Sequence, residues 1–304
     1  DRNYSLLRQS IATYCNTQPE SIIVGNGTTE LISLFIQLTN PKRALILGPT
    51  YSEYEREITL HGGRTSYFPL RSSEDFSLNL DTFCSKLNDD INLLVLCNPN
   101  NPTSTSIDKK TMRTILDLCK EHDIYVLVDE TYIEFVDDVS AVTAIPLTAY
   151  YNNIIILRST SKFFASPGLR LGYAITGNSD LLNEINQHKN PWMINSLAEK
   201  AGEIMFSDTE YMEETRKLIL SERERLYKLY LDSTLFLPYK PKANFMLLEI
   251  KDQNLTSSIM FEKAIRQKMM IRDCSTFPFL SDKFIRICFM LPEDNNRLFE
   301  CLNN

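Results

Sequence analysis

The chain has 304 residues, enough to bury one sizeable core or a large domain with a smaller companion, and its 43% hydrophobic and 23% charged residues are ordinary for a globular protein. A formal net charge of −7 argues against nucleic acid or an anionic membrane as the main partner, though not against a locally basic site for a small phosphorylated ligand. No stretch approaches the ~20 apolar residues of a membrane span, no signal peptide is evident, and seven cysteines without a C-x-x-C pair read as reduced, mostly buried thiols, so a cytoplasmic protein is expected.

In chain order, apolar runs of strand length alternate with helical patterns. Residues 21–25 (SIIVG) read as a strand and 30–38 (ELISLFIQL) as a helix. Residues 43–49 (RALILGP) form the next strand, 51–63 (YSEYEREITLHGG) a helix closed by Gly62 and Gly63, and 64–70 (RTSYFPL) a short strand. Residues 91–99 (INLLVLCNP) are a strand, and 108–123 an amphipathic helix with Asp108 as its cap. Further strands follow at 124–130 (IYVLVDE), 153–159 (NIIILRS) and 169–176 (LRLGYAIT). Continuous Val/Ile/Leu runs separated by helices are what a parallel sheet covered on both faces produces.

The texture changes after residue 208. A long charged helix over 209–232 is followed by a strand at 244–250, a helix at 258–268 and two strands at 269–274 and 284–290. The predicted architecture is therefore α/β: a large domain, 1–208, with a mainly parallel sheet sandwiched by helices, and a smaller C-terminal α+β domain, 209–304, joined through the long helix. The run ERER (222–225) reads as the exposed face of that helix.

In an open α/β sheet ligands gather beyond the carboxyl ends of the strands, so the residues that follow the strands carry the functional reading. Four segments stand out: GNGTTE (25–30), NPNNPT (98–103), DETY (129–132) and RSTSKFFASPGLRLGY (158–173). Taken singly they are weak, since a G-x-G is usually a turn and a lysine after a strand a solvated charge. Together they resemble the fold-type I, class I/II aminotransferase superfamily: S-x-S-K with an arginine eight residues on, preceded by D-E-x-Y and N-P-x-N-P. The likeness runs over essentially the whole chain. It is nearest to L-threonine O-3-phosphate decarboxylases and histidinol-phosphate aminotransferases.

The resemblance implies pyridoxal 5′-phosphate (PLP) as cofactor, bound on the large domain, and a role for each matching residue. Lys162 would hold the cofactor covalently, which needs a neutral amine and so a pKa depressed by nearby positive charge. Asp129 would pair with the pyridinium nitrogen and keep the ring electron-poor. Asn101 and Tyr132 would donate to the ring's phenolic oxygen, and Lys162, Asp129 and Tyr132 make up the catalytic set. Gly27, Thr28 and Thr29, at a helix N-terminus, would cradle the phosphate together with Ser159, Ser161 and Arg170. Tyr51 would stack on the ring, with core packing as its plainer reading. Arg286 would take the substrate carboxylate rather than form a structural salt bridge, and Arg272 is balanced between a second anion contact and a surface charge. His61, His122 and His188 lack metal-ligand spacing, so no metal is expected.

The shared residues do not choose the reaction, because the bond that breaks is set by how the substrate is anchored. Three segments lean toward the decarboxylases: GNGTTE, KFFASPGLRLGY and NPWMINSLAEKAGE (190–203). The expected activity is decarboxylation of L-threonine O-3-phosphate to (R)-1-amino-2-propanol phosphate, as in cobalamin synthesis. Transamination of histidinol phosphate or another amino acid is the alternative, and a PLP-fold binding module ranks below both. The expected partner is a small phosphorylated amino acid, and the resemblance implies a homodimer with each site at the subunit boundary. Two departures stand out. Ser104 occupies the glycine of the family's N-P-x-N-P-T-G, so the turn there need not match. The chain also opens at Asp1, without Met, where the family pattern has just passed a Tyr-Pro that reaches the neighbouring subunit's site; a missing or trimmed arm ahead of Asp1 is in view.

Overall fold

Six strands too apolar to leave either face in water, and a more polar strand at one edge, assemble into one seven-stranded sheet in a computed structural model that describes all 304 residues. They are β1 (Ile22–Asn26), β2 (Arg43–Gly48), β3 (Arg64–Pro69), β4 (Leu93–Cys97), β5 (Tyr125–Asp129), β6 (Ile154–Ser159) and β7 (Leu171–Ile175), in the spatial order β1-β7-β6-β5-β4-β2-β3. The pairs β2–β3, β2–β4, β4–β5 and β5–β6 are parallel. Strand β7 runs antiparallel to both β6 and β1. Its reversal follows from chain length: the connection Thr160–Arg170 is too short for the helical crossover that a parallel partner of β6 would require.

Helices cover the sheet where the periodicity placed them. The helix Lys109–Glu121 starts at Asp108, whose side chain accepts the Thr111 N–H. Helices Ser179–His188 and Ser196–Met205, not foreseen above, open in the same way on the side chains of Asn178 and Asn195. A helix over Ser5–Cys15 precedes β1, and none of the helices is long and apolar enough to cross a membrane.

A second, antiparallel sheet comprises β8 (Phe236–Pro238), β9 (Phe245–Ile250), β10 (Arg272–Asp273) and β11 (Phe284–Cys288), in the order β10-β11-β9-β8. The strand expected over 269–274 shrinks to Arg272 and Asp273, which alone pair with β11; Met269 and Ile271 are buried without joining the ladder. Beneath this sheet lies a core of its own. It also takes in Tyr132, Phe135 and Phe163 from the segments that follow β5 and β6.

The long helix, Thr209–Leu231, corrects one expectation. Glu222 and Arg223 of the ERER run are buried. Arg223 donates to the carbonyls of Phe135 (2.7 Å) and Lys242 (3.0 Å), while Arg216 donates to those of Glu134, Val136 and Asp137. The segment after Tyr132 leaves these carbonyls without backbone partners, and two long arginine side chains satisfy them. The seven cysteines are all free; Cys97, Cys119 and Cys274 are buried, whereas Cys288 is exposed.

Candidate active site

Parallel strands bring their carboxyl ends to one edge of the sheet, and that edge carries the chemistry. A cavity of about 400 Å³ opens there, between the two sheets. Gly27, Thr28, Thr29, Tyr51, Asn101, Asp129, Tyr132, Ser159, Ser161, Lys162, Arg170, Arg272 and Arg286 all line it, so the structure gathers every residue singled out from the sequence. Thr50, Ser52, Tyr54, Cys97, Thr131, Pro167 and the segment Thr276–Pro278 complete the wall and were not foreseen.

Asp129 ends β5 and is only 4% exposed. Its Oδ1 accepts the Thr131 N–H at 2.9 Å and its Oδ2 accepts the Tyr54 hydroxyl at 2.7 Å. Both donors are neutral, and Asp129 forms no salt bridge. A buried carboxylate of this kind is stabilised by a cation brought in by a ligand. Tyr54 lies in the helix Glu53–Leu60 and is fully buried; its ring meets that of Tyr51 edge-on, with centroids 5.6 Å apart. A Tyr-x-x-Tyr spacing, with the second tyrosine on the buried face of an amphipathic helix, is the sequence signal that would have found it.

On the opposite wall the helix Thr28–Thr39 begins at Gly27, which has φ 78° and supplies no side-chain cap. The first N–H groups of the helix therefore face the cavity without a side-chain acceptor. Arg170 lies over this end: a Cβ on Gly27 would come within 2.3 Å of its Nη2. Gly172 permits the same approach from β7, since a Cβ there would meet the Gly27 carbonyl carbon and the Thr28 nitrogen at 2.6 Å. Ser159 Oγ accepts the Ser161 N–H at 3.1 Å and donates to its hydroxyl at 2.8 Å, and both serines line the cavity. Helix end, guanidinium and hydroxyls together can serve as an anion cradle.

Lys162 projects into the open part of the cavity from the return between β6 and β7. Surrounding protein and then the Arg286 guanidinium push its pKa below the usual lysine value, with Arg170 adding to the effect and Asp129 opposing it. Tyr132 is buried, and burial raises its phenol. Arg286 on β11 donates to the side-chain oxygen of Asn101 and lies 4.9 Å from the Phe245 ring centroid, while its buried Nε has no partner. Arg272 is its cross-strand neighbour on β10, exposed and 5.4 Å from the Phe277 ring. Ser104, where a glycine was expected, takes φ 60°; its Oγ accepts the N–H groups of Lys242 (3.0 Å) and Ala243 (2.8 Å).

Comparison with known proteins agrees with this geometry. The family described as aminotransferase class I and II matches residues 2–302. A "Putative threonine-phosphate decarboxylase" of Caldanaerobacter subterraneus subsp. tengcongensis is 36% identical over 99% of this chain and 81% of its own length. The threonine-phosphate decarboxylase of Salmonella typhimurium is 30% identical over 100% of this chain and 82% of its own. Among solved structures, the histidinol-phosphate aminotransferase of Clostridium acetobutylicum superposes with a TM-score of 0.93 at 32% identity, covering 100% of this chain and 89% of that one. A match over nearly the full length, with the cavity residues at the strand ends where the motifs put them, makes this chain a member of the class I and II aminotransferases, a family of PLP-dependent enzymes.

Proposed function

We propose that the chain decarboxylates L-threonine O-3-phosphate to (R)-1-amino-2-propanol phosphate, using PLP held by Lys162. The observation that supports the cofactor best is Asp129: a buried carboxylate, hydrogen-bonded on both oxygens by neutral donors and facing a cavity that also contains a lysine of lowered pKa. The residues fit PLP on three sides. Asp129 would accept the ring N–H, the Gly27–Thr29 helix end with Ser159, Ser161 and Arg170 would take the phosphate, and Tyr51 would cover a ring face. Asn101 and Tyr132 lie at the edge where a phenolic oxygen would sit.

When bound, the cofactor supplies an electron sink for the pair left on the substrate Cα when a bond to it breaks. Asp129 would hold a proton on the ring nitrogen, which makes the sink effective. Arg286 offers a fork of donors, including the unpartnered Nε, to the substrate carboxylate. Arg272, on the neighbouring strand, offers a second cation to a phosphate on the same substrate. Lys162 Nζ, whose proton is held less tightly because of burial and then the nearby Arg286, can take or return a proton at Cα.

Supporting the decarboxylase reading are the three sequence segments named above and two decarboxylase relatives at 36% and 30% identity. Transamination is the second reading, favoured by the TM-score of 0.93 to a histidinol-phosphate aminotransferase. The purified protein, loaded with PLP and given threonine O-3-phosphate, is expected to release CO2 without any 2-oxo acid. Glutamate formed from histidinol phosphate and 2-oxoglutarate, with no CO2 from threonine phosphate, would transfer the assignment to the aminotransferases. The homodimer belongs to the same proposal, and light scattering of the loaded protein tests it.

A further inference from the structure

We infer that Tyr54 is a positioning residue for the cofactor: its hydroxyl fixes the Asp129 carboxylate, and its ring fixes Tyr51. The inference rests on the PLP reading above and adds to it a residue that no motif pointed to.

The geometry is specific. The Tyr54 hydroxyl donates to Asp129 Oδ2 at 2.7 Å with both groups buried, and the Thr131 N–H holds Oδ1 at 2.9 Å. The carboxylate plane is therefore set by two donors from different elements, one from β5's own continuation and one from the helix after β2. Remove the hydroxyl and one oxygen loses its only donor, leaving the carboxylate free to rotate about its Thr131 contact. A hydrogen bond of this kind fixes the direction of its acceptor oxygen as well as its distance. The same side chain presents its ring edge-on to Tyr51, at 5.6 Å and 86°. Tyr51 is 37% exposed, and the edge contact ties its ring to the fully buried Tyr54. One buried tyrosine thus supports both the group at the ring nitrogen and the group over the ring face.

A residue acting through Asp129 changes the electronics of the bound ring, not only the fold. With Asp129 less firmly held, the ring nitrogen keeps its proton less well, and a less positive ring repels a proton on the Lys162 nitrogen less. The pH midpoint of the bound cofactor's visible absorption should then rise.

The test uses the whole chain. Wild type is first loaded with PLP and reduced with borohydride, and the pyridoxyl mass is located on the Lys162 peptide. PLP affinity and the absorption midpoint are then measured for wild type, Tyr54→Phe, Asp129→Asn and the double variant, each checked for folding by its circular-dichroism melt. Tyr54→Phe is isosteric and keeps the ring against Tyr51. It is expected to bind PLP about tenfold more weakly and to raise the midpoint by roughly one pH unit. In the Asp129→Asn background the same change should alter affinity less than about twofold, because no charge is left to hold. Wild-type affinity and midpoint in Tyr54→Phe, with the Lys162 adduct present in wild type, would overturn this inference alone. So would equal losses in both backgrounds, which would make Tyr54 a packing residue. Absence of the adduct from wild type would overturn the PLP reading and this inference with it.

Discussion

The guanidinium of Arg286, on the small sheet, donates to the side-chain oxygen of Asn101, in the turn that follows β4. The two residues are far apart in sequence, yet both line the cavity that Lys162 and Arg272 also line. Arg286 also bears on Lys162 directly, as the largest single charge that lowers its pKa.

Replacing Arg286 with Gln should therefore show in two measurements. The KM for an amino-acid substrate rises by on the order of a hundredfold through loss of the bidentate cation. Without that cation the ammonium form of Lys162 is less disfavoured, so its pKa rises and the pH at which apo-protein captures PLP moves upward. Stopped-flow absorbance across pH reads the second effect independently of turnover.

Gly27→Ala places a methyl group where Arg170 lies and forces a backbone conformation near φ 78°, ψ 168° that is essentially restricted to glycine. The Arg170 side chain can swing away, but the backbone cannot relax so easily. A loss of about 1–3 kcal/mol in denaturant stability is expected. Weaker binding of PLP than of phosphate-free pyridoxal, relative to wild type, would separate damage to the anion cradle from general destabilisation.

Ser104 is a test of side-chain against backbone. Ser104→Ala keeps the φ of 60° but leaves the Ala243 N–H without an acceptor, at a cost of about 1–3 kcal/mol. Ser104→Gly loses the same acceptor yet relieves the left-handed backbone, so it should destabilise less than Ala by about 1 kcal/mol. Urea midpoints give the order. Amide exchange at Ala243 should accelerate in both variants, while Lys242 keeps its 2.8 Å bond to the Ser104 carbonyl.

Glu134 gives a pH dependence of stability. It is buried, its Oε1 accepts from Tyr14 at 3.2 Å, its Oε2 has no partner, and the nearby Arg158 is engaged by Glu130. Burial pushes its carboxyl up to about 7, with Glu130 adding to the rise and Arg158 opposing it. A carboxyl whose pKa is higher folded than unfolded binds its proton more tightly in the native state. Its contribution is fully present below about 4.5 and is lost as pH rises toward about 7. Glu134→Gln should flatten that decline, with melting temperatures of the two proteins diverging progressively between those limits. Parallel profiles would show that Glu134 is ionised in the folded protein.

Much of this site was legible because its chemistry sits in short contiguous segments at strand ends. Asp129 ends an apolar run long enough to be read as a buried strand, Asn101 and Lys162 follow such runs, Arg170 immediately precedes one, and all of them line one cavity. What the sequence withheld were relations across distance. Strand β7 has the same apolar texture as its parallel neighbours, so its reversal shows only in the shortness of the Thr160–Arg170 return. Glu222 and Arg223 look like a solvated charge run because composition does not reveal that the Asn295 side chain waits for the one and the Phe135 carbonyl for the other. Tyr54 reads as one more apolar helix position; its partner, Asp129, is on another strand.

The core beneath the small sheet is not the property of residues after 208 alone, since Tyr132, Phe135 and Phe163 fill part of it. A protein cut at that point would leave three aromatic rings facing water on one piece and a hollow on the other. The two pieces are thus poor candidates for separate expression, or for exchange with another protein's halves, unless these rings and their receiving surface travel together. Co-expressed, they have a ready apolar surface through which to find each other again.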